Sequence, residues 1–300
     1  MYMNKVAIWV MTGLLATTTV FFNVYIFLMS IWNYRQKKKW SPSETIILAL
    51  SVADVAHQLI CYFWMTMDEL DSKCLIDQRP YTVMLLLIYS LKFTIMWDTS
   101  FLTFYYSTKL VSTPNHCYTQ IQDAILKHVT LAVCLIPLLG LGTCMPMLMV
   151  FKSDNITAAN KDCGILTPTN NIGHVYEAMY LILSDMKAST NGAHRPKLGS
   201  QMRVIQMALS LVAVFILFLV IDLFVNYQIS VNHENIIGLT FCFTSIYTTV
   251  TAMVLIYGKK TFWKALIHEF NVCLDEYPCL YCLKVPEQKA KPSTPEQVQT

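Results

Sequence analysis

Apolar residues in this chain are grouped in blocks about as long as a membrane-spanning helix, and this feature restricts the possible folds more than any other. A helix needs about 20 apolar residues to cross the hydrocarbon core of a bilayer. Only 14% of the 300 residues are charged and 55% are hydrophobic. Soluble domains carry roughly 25% charged residues, so the sequence predicts an all-α membrane protein.

Six of the apolar blocks are long enough to cross the membrane. A further stretch, between Ile172 and Met186, is shorter than a bilayer requires and contains His174, Glu177 and Asp185. Hydropathy alone therefore does not predict a span in that stretch. The six clear spans run from about Val6 to Trp32, Thr45 to Met67, Tyr81 to Val111, Val129 to Phe151, Val204 to Tyr227 and Ile236 to Tyr257.

The positions of Lys and Arg predict the orientation, because cytoplasmic loops carry an excess of these residues. Cations cluster after the first and third spans, before the sixth span and in the tail, whereas the loop after the second span is acidic on balance. The N-terminus is therefore expected outside and the basic tail inside. That arrangement needs an odd number of spans, and so one further crossing between Asn155 and Arg195.

The predicted fold class is an all-α membrane protein, a seven-transmembrane helix bundle with its N-terminus outside and its C-terminus inside. Residues 1–270 form the predicted seven-helix domain, and residues 271–300 form a cytoplasmic tail that we expect to be disordered. Cations follow the first block and no small-residue cleavage site does, so we interpret that block as an anchored helix and not as a removed leader.

Two features of the predicted extracellular loops agree with this topology. Asn155-Ile156-Thr157 is an N-glycosylation sequon in the loop after the fourth span. Cys74 and Cys163 also fall in predicted extracellular loops, where a disulfide between them is chemically permitted.

The sequence carries no signature of an enzyme. It has no G-x-S-x-G or H-E-x-x-H motif and no Gly-rich phosphate loop. The seven histidines are scattered and do not pair at helical spacing, so we predict no metal site and no cofactor. No basic patch interleaved with aromatic residues lies outside the loops, and we expect no nucleic-acid partner.

Four ionisable side chains lie inside predicted spans, where burying a charge is costly: Asp54, Lys92, Asp98 and Asp222. They can pair with one another or with backbone groups to fix the packing, or they can form a ligand or ion site. Asp98 follows Trp97 in the predicted outer half of the third span, and a carboxylate beside an aromatic ring suits a cationic ligand. For Asp54 we favour a structural role, and for Lys92 we expect pairing or snorkelling.

The third span carries a motif with fixed spacing. Trp97, Leu102, Tyr106, Lys109 and Pro114 form the pattern W-x₄-L-x₃-Y-x₂-K-x₄-P. This pattern resembles the framework of the third span in type 2 (bitter) taste receptors.

Other segments are similar to the same family. Residues 38–48, KKWSPSETIIL, resemble its first cytoplasmic loop, and residues 23–26, NVYI, resemble part of its first span. Residues 252–259, AMVLIYGK, are similar to its seventh span, and residues 190–196, TNGAHRP, to its third cytoplasmic loop. The resemblance covers residues 23 to about 266.

The chain also departs from the family pattern. Ala53-Asp54 replaces a Ser-Arg pair in the second span, and Thr251-Ala252 replaces a His-Ser pair in the seventh. Lys259 stands where the family has Asn. Together with the short fifth span, these differences indicate a divergent member.

The resemblance implies a G-protein-coupled receptor in the plasma membrane. Such a receptor binds a small-molecule agonist, often a bitter one, from the extracellular side and activates a heterotrimeric G-protein. By resemblance Trp97 lines the ligand pocket, with Asp98 and Ser100 near it, and by position Asp222 and Phe241 face the same cavity. The residues expected at the G-protein side are Tyr106, Lys109 and Arg195.

Two other classes of protein remain open. A non-signalling or truncated receptor-like protein is an alternative because the fifth span is short. A transporter would show internal repeats or broken helices near the midplane. Pro137, Gly140, Gly142 and Pro146 do interrupt the fourth span, but no second half of the chain repeats this pattern.

Overall fold

The chain folds into a bundle of α-helices in its computed structural model. The structure describes residues 5–38, 40–71, 78–110, 116–145, 151–152, 167–168, 202–232 and 237–275. Within these residues the helices are α1 (Lys5–Lys37), α2 (Pro42–Leu70), α3 (Gln78–Leu110), α4 (His116–Cys144), α5 (Met202–Asn232), α6 (Ile237–Gly258) and α7 (Lys260–Asp275). Two short strands, β1 (Phe151–Lys152) and β2 (Thr167–Pro168), pair antiparallel.

Helices α1 to α6 are long and apolar enough to cross a membrane. They correspond to the six spans that hydropathy predicts, so this prediction is confirmed. Helix α4 ends at Cys144, whereas the sequence predicted a span to Phe151, which lies in β1. That predicted end was wrong because the apolar residues continue beyond the end of the helix. The predicted fifth span, residues 172–186, lies outside the described residues.

The start of α2 is specified by the local sequence. Ser41 is the N-cap, and its hydroxyl accepts a hydrogen bond from the backbone N–H of Glu44 at 3.3 Å. The Glu44 carboxylate accepts the backbone N–H of Ser41, also at 3.3 Å, which completes a capping box. Pro42 occupies the first helical turn, where its missing N–H has no helical acceptor to lose.

Helix α2 contacts α1, α3, α4 and α6. Helix α3 packs against α2, α4 and α5, and α6 packs against α1 and α5. Large apolar side chains remain on the outside of the bundle, where they face lipid in a membrane protein. Leucines that are more than half exposed include Leu14, Leu59, Leu138 and Leu217.

Helices α3 and α4 approach closely at Gly140. A Cβ atom at this position would lie 2.9 Å from the backbone oxygen of Ser90, so a glycine is needed for the two helices to pack. At Gly142, two residues further along α4, a Cβ atom would meet nothing within 4 Å among the described residues, so that position imposes no such requirement.

Helix α7 follows α6 after a single residue and has a different character from the spanning helices. It buries Phe262 and Leu274 against the bundle and exposes Lys264 and Glu269. This two-sided pattern is typical of a helix that lies along a surface. Helix α7 continues past the predicted domain boundary at residue 270 and ends at Asp275.

Candidate functional site

Lys92 of α3 and Asp222 of α5 form an ion pair in the middle of the bundle. The Lys92 Nζ atom donates to the Asp222 Oδ1 atom at 2.6 Å, and the two side chains are only 5% and 4% exposed. Charge-assisted hydrogen bonds of this length are strong, and either charge would be costly to bury alone. Of the two roles that the sequence allowed for Lys92, pairing and snorkelling, the structure shows pairing.

Aromatic contacts connect this ion pair to α6. The Lys92 Nζ atom lies 5.6 Å from the centroid of the Phe218 ring, within the range of a cation–π contact. The Phe218 ring in turn stacks on Tyr247 of α6 with 4.3 Å between centroids. Phe218 lies one helical turn before Asp222, so both side chains occupy the same face of α5. The pair therefore joins α3, α5 and α6.

Asp54 of α2 and Asp98 of α3 are buried without such a partner. They are 1% and 0% exposed, and no carboxylate oxygen of either meets the geometry of a hydrogen bond to a described residue. The Asn23 amide of α1 lies near the Asp54 carboxylate, and Asp98 is within electrostatic range of Asp54. Together with Lys92 and Asp222, they make four buried ionisable side chains inside the bundle.

The depth of Asp98 in the bundle differs from the prediction. The sequence placed Asp98 in the outer half of the third span, which corresponds to the N-terminal half of α3. In the structure Asp98 lies closer to the C-terminal end of α3 than to its N-terminal end. The predicted bounds, Tyr81 to Val111, already placed Asp98 just past the midpoint of the span, so the outer-half position did not follow from hydropathy.

Phe241 of α6 lies in a second group of buried side chains, which we name the Trp64 cluster. The Trp64 ring makes edge contacts with Phe241 and Tyr81, with centroid distances of 5.3 and 6.1 Å. These residues come from α6, α2 and α3, so the cluster fastens the C-terminal part of α2 between its neighbours. The buried members are Cys61, Trp64, Met65, Tyr81, Leu85, Ile88 and Phe241.

Trp97 and Ser100 occupy a third environment on α3. The Trp97 ring is half-buried and lies 5.5 Å from the Phe93 ring. The Ser100 hydroxyl is also half-buried and donates to the backbone oxygen of Met96 at 2.8 Å, within its own helix. The five residues predicted to bind a ligand are thus distributed over several places, and their role in ligand binding stays a prediction.

A hydrogen-bond network between α2 and α6 was not predicted from the sequence. Gln58 donates to the Thr248 hydroxyl at 2.9 Å and accepts a hydrogen bond from Ser245 at 2.7 Å. All three side chains are buried. The signal that could have revealed it is the helical spacing of hydroxyl residues in the seventh predicted span: Thr240, Thr244, Ser245, Thr248 and Thr249.

A second ion pair lies at the end of the bundle where α2 begins and α6 ends. The Lys259 Nζ atom lies 3.0 Å from the Glu44 Oε1 atom and 4.3 Å from the centroid of the Phe262 ring. The Tyr25 hydroxyl donates to the backbone oxygen of Phe262 at 2.8 Å. Burial lowers the pKa of Lys259, and its hydrogen bond to Glu44 offsets part of that change. These contacts attach α7 to α1 and α2.

Tyr106, one of the residues predicted at the G-protein side, is buried near the C-terminal end of α3. Lys109 belongs to α3, but its side chain is outside the part that the structure describes, and Arg195 lies outside the described residues. The predicted sequon at Asn155 and the predicted disulfide between Cys74 and Cys163 are also outside them. Within the described segments, no group of three or more His, Cys, Asp or Glu side chains could hold a metal ion.

Comparison with known proteins identifies one family. A family model described as taste receptor protein (TAS2R) matches residues 1–183, which is more than half of the chain. The match includes α1 to α4 and the predicted sequon. A search of curated proteins found no match.

Proposed function

Because the chain belongs to the taste receptor protein (TAS2R) family of bitter taste G-protein-coupled receptors, we propose that it resides in the plasma membrane and binds small-molecule agonists from the extracellular side. Agonist binding then activates a heterotrimeric G-protein on the cytoplasmic side. The family consists of receptors and not of enzymes. Both the particular ligand site and the orientation of the chain belong to this proposal.

The observation that best supports a site within the bundle is the number of charged side chains buried there. Asp54, Lys92, Asp98 and Asp222 are each less than a twentieth exposed. Charged side chains inside membrane bundles are rare because they are costly, and they usually mark a path or site for a ligand or ion. The bundle therefore holds more charge than its packing alone requires.

We place the agonist between α3, α5 and α6, with Asp222 and Phe241 as its principal contacts. Phe241 lies near the predicted extracellular start of α6, and Asp222 lies deeper, in contact with Lys92. The remaining predicted residues are Trp97, Asp98 and Ser100. Asp98 lies deeper still, beside Asp54, so a cationic group would reach it only after passing the level of the ion pair.

Signalling follows from a difference in affinity between two arrangements of the bundle. An agonist that binds the active arrangement more tightly shifts the equilibrium by that differential affinity and by no more. Tyr106 and Lys109 of α3, with Arg195 of the basic third loop, are the residues proposed to face the G-protein.

A cell-based measurement tests this function. The full chain is expressed with a promiscuous G-protein, and calcium release is recorded across a broad panel of bitter compounds while surface expression is measured on the same cells. We expect responses to a subset of the compounds. Silence across the whole panel in cells with confirmed surface expression would favour the non-signalling alternative.

A pair of variants then locates the ligand's cationic group. If the group reaches Asp98, Asp98→Ala abolishes responses to cationic agonists and spares responses to neutral ones. If the group stops at the ion pair, Asp222→Ala has that effect. An unchanged response to every cationic agonist would remove the altered carboxylate from the site.

A further inference from the structure

We propose that the end of the bundle where α1 and α6 end and α2 and α7 begin binds the headgroup of a phosphoinositide, a lipid with several phosphate groups. The site is a group of exposed cations that we name the basic patch. Only the assignment of this lipid to the cytoplasmic leaflet rests on the proposed function, which includes the orientation of the chain. The members of the basic patch are Arg35, Lys37, Lys38, Lys260 and Lys264.

Two segments that are far apart in the sequence bring these cations to one end of the bundle. The first three members of the patch lie at the end of α1, and the last two lie at the start of α7. The Tyr25 hydroxyl holds the start of α7 against α1 through its hydrogen bond to Phe262. Lys37 is close enough to Lys259 for their positive charges to repel each other. Cations in a single loop are sufficient to orient a chain in the membrane, so orientation does not require this second group of cations beside the first.

The patch carries positive charge that the surrounding protein does not balance. Lys259 is paired with Glu44 at 3.0 Å, but none of the five cations of the patch forms an ion pair within the described residues. Clusters of Lys and Arg beside a spanning helix or on an amphipathic helix are typical of proteins that recognise anionic lipids, and each cation strengthens that binding by about fivefold. A headgroup with several phosphates neutralises several of these cations at once, which a lipid with one negative charge does not.

The turn that follows α1 keeps a cation at an unfavourable backbone position. Lys38 has a φ angle of 51°, in the left-handed region that favours glycine at the end of a helix. Its backbone N–H donates to the carbonyl oxygen of Tyr34 at 2.7 Å. The Tyr34 ring stacks on Trp40 with 4.6 Å between centroids, so two aromatic rings hold the turn from both sides in sequence. The chain therefore retains an exposed lysine where a glycine would be less strained.

Exposed aromatic side chains beside the patch favour a lipid over a soluble polyphosphate. Trp32 is 62% exposed and lies five residues before Lys37, and Tyr257 is 46% exposed and lies three residues before Lys260. Trp and Tyr are enriched at the membrane–water interface, where their rings lie at the level of the lipid headgroups. The patch is therefore at the depth at which a phosphoinositide presents its phosphates.

Native mass spectrometry of the purified full chain in detergent tests this site. The probes are dioctanoyl phosphatidylinositol bisphosphate, dioctanoyl phosphatidylserine and soluble inositol trisphosphate, and the bound fraction is measured over a range of concentrations of each. We expect the phosphoinositide to bind at least about tenfold more tightly than phosphatidylserine, because its headgroup engages more of the cations. We expect the soluble trisphosphate to bind more weakly than the phosphoinositide, because it lacks the acyl chains that lie beside the exposed aromatic rings.

Single substitutions of exposed lysines locate the bound lipid. Lys37→Gln and Lys260→Gln each remove one cation, one from either segment of the patch, and each should weaken phosphoinositide binding about fivefold. The double variant should weaken it by about 25-fold. Lys127→Gln is the matched control, because Lys127 is also an exposed lysine but lies on α4, outside the patch. This control should leave phosphoinositide binding unchanged. All three side chains are exposed, so the variants should fold.

Three results would overturn the proposal. Equal binding of phosphatidylserine and the phosphoinositide would show attraction to negative charge without a site. A loss for Lys127→Gln as large as that for Lys37→Gln would show that the patch is no different from other cations of the chain. Soluble trisphosphate that binds as tightly as the lipid would make a soluble polyphosphate the occupant.

The lipid-binding measurements need no agonist, no G-protein and no known orientation, so this proposal and the proposed function can fail separately. A chain that binds the phosphoinositide as expected but remains silent in the calcium assay supports the lipid site and contradicts the proposed function. A chain that responds to agonists but binds the two lipids equally does the reverse.

Discussion

Two levels of the bundle, one at Asp222 and the other at Asp54 and Asp98, bury acidic side chains in different ways. Asp222 receives a hydrogen bond from the Lys92 ammonium group at 2.6 Å, and both side chains are nearly inaccessible. Asp54 and Asp98 are at least as buried, yet within the described residues no carboxylate oxygen of either meets the geometry of a hydrogen bond. The residue type and the burial are the same at both levels, and only the partner differs.

This difference teaches that burial alone does not determine what a charge contributes. At the level of Asp222, removing one partner leaves an uncompensated charge, so the fold depends on the pair. At the level of Asp54 and Asp98, loss of hydration is not repaid by hydrogen bonds, so the fold is expected to carry these carboxylates at a cost. Charge-neutralising substitutions should therefore have opposite signs at the two levels.

The largest effect is expected from Lys92→Met. It leaves Asp222 buried without its cation and should destabilise the receptor by about 3–5 kcal/mol, the range for breaking a buried pair from one side. Thermal unfolding of the purified receptor in detergent measures the loss. Lys92→Arg, which keeps the charge, is the control. A loss below about 1 kcal/mol would show that water reaches Asp222, and the contrast between the levels would disappear.

The next effect has the opposite sign. Asp98→Leu should stabilise the receptor by about 1–3 kcal/mol, because it removes a buried carboxyl group whose oxygens have no hydrogen-bond partner among the described residues. Asp54→Leu should act in the same direction. The combined gain should be smaller than the sum, because Asp98 acts electrostatically on Asp54. Asp222→Leu is the matched control and should lower the unfolding temperature in the same assay. Additive gains would mean that the two carboxylates act independently.

The sequence predicted much of this fold because hydropathy and helix length depend on local composition. Six spans were found from their apolar blocks, and the four charges were expected inside the bundle. The pairing of Lys92 with Asp222 was only one of two alternatives, since these residues are 130 positions apart. Which charge meets which depends on the rotation and tilt of α3 and α5, and these are set by packing.

The surroundings of the candidate ligand-binding residues could not be predicted from the sequence, for the same reason. Phe241 was expected to face a cavity, and it lies in the Trp64 cluster, packed edge-on against Trp64. Asp98 was placed in the wrong half of its helix. Gln58 was not singled out at all, because one amide in an apolar span gives no indication of the hydroxyl groups that it meets on α6.

Gln58 is a third kind of buried polar group, because it is neutral and its amide both donates and accepts a hydrogen bond. Gln58→Met should destabilise the receptor by about 1 kcal/mol, the usual net value of a hydrogen bond. The loss stays small because the Ser245 hydroxyl then donates its one hydrogen to the backbone oxygen of Phe241, and Thr248 keeps its own donation to the backbone oxygen of Thr244. Gln58→Leu, which lacks the length of the native side chain, separates loss of packing from loss of hydrogen bonds. A loss as large as that of Lys92→Met would show that losing the hydrogen bonds of a neutral buried group costs as much as leaving a buried charge without its cation.

The smallest effect is expected at the Glu44–Lys259 pair, which has the same chemistry as the central pair and a wetter position. The Lys259 side chain is 16% exposed, against 5% for Lys92. A double-mutant cycle with Glu44→Gln and Lys259→Met should give a coupling of about 1 kcal/mol, the upper end of the range for exposed pairs, because Glu44 is only 4% exposed. Salt sharpens the test, because screening weakens accessible pairs and hardly affects buried ones. Raising the ionic strength from 0.1 to 1 M, which shortens the Debye length from about 10 to about 3 Å, should reduce the Glu44–Lys259 coupling and leave the destabilisation by Lys92→Met unchanged. If the two respond alike, the end of the bundle is as dry as its middle.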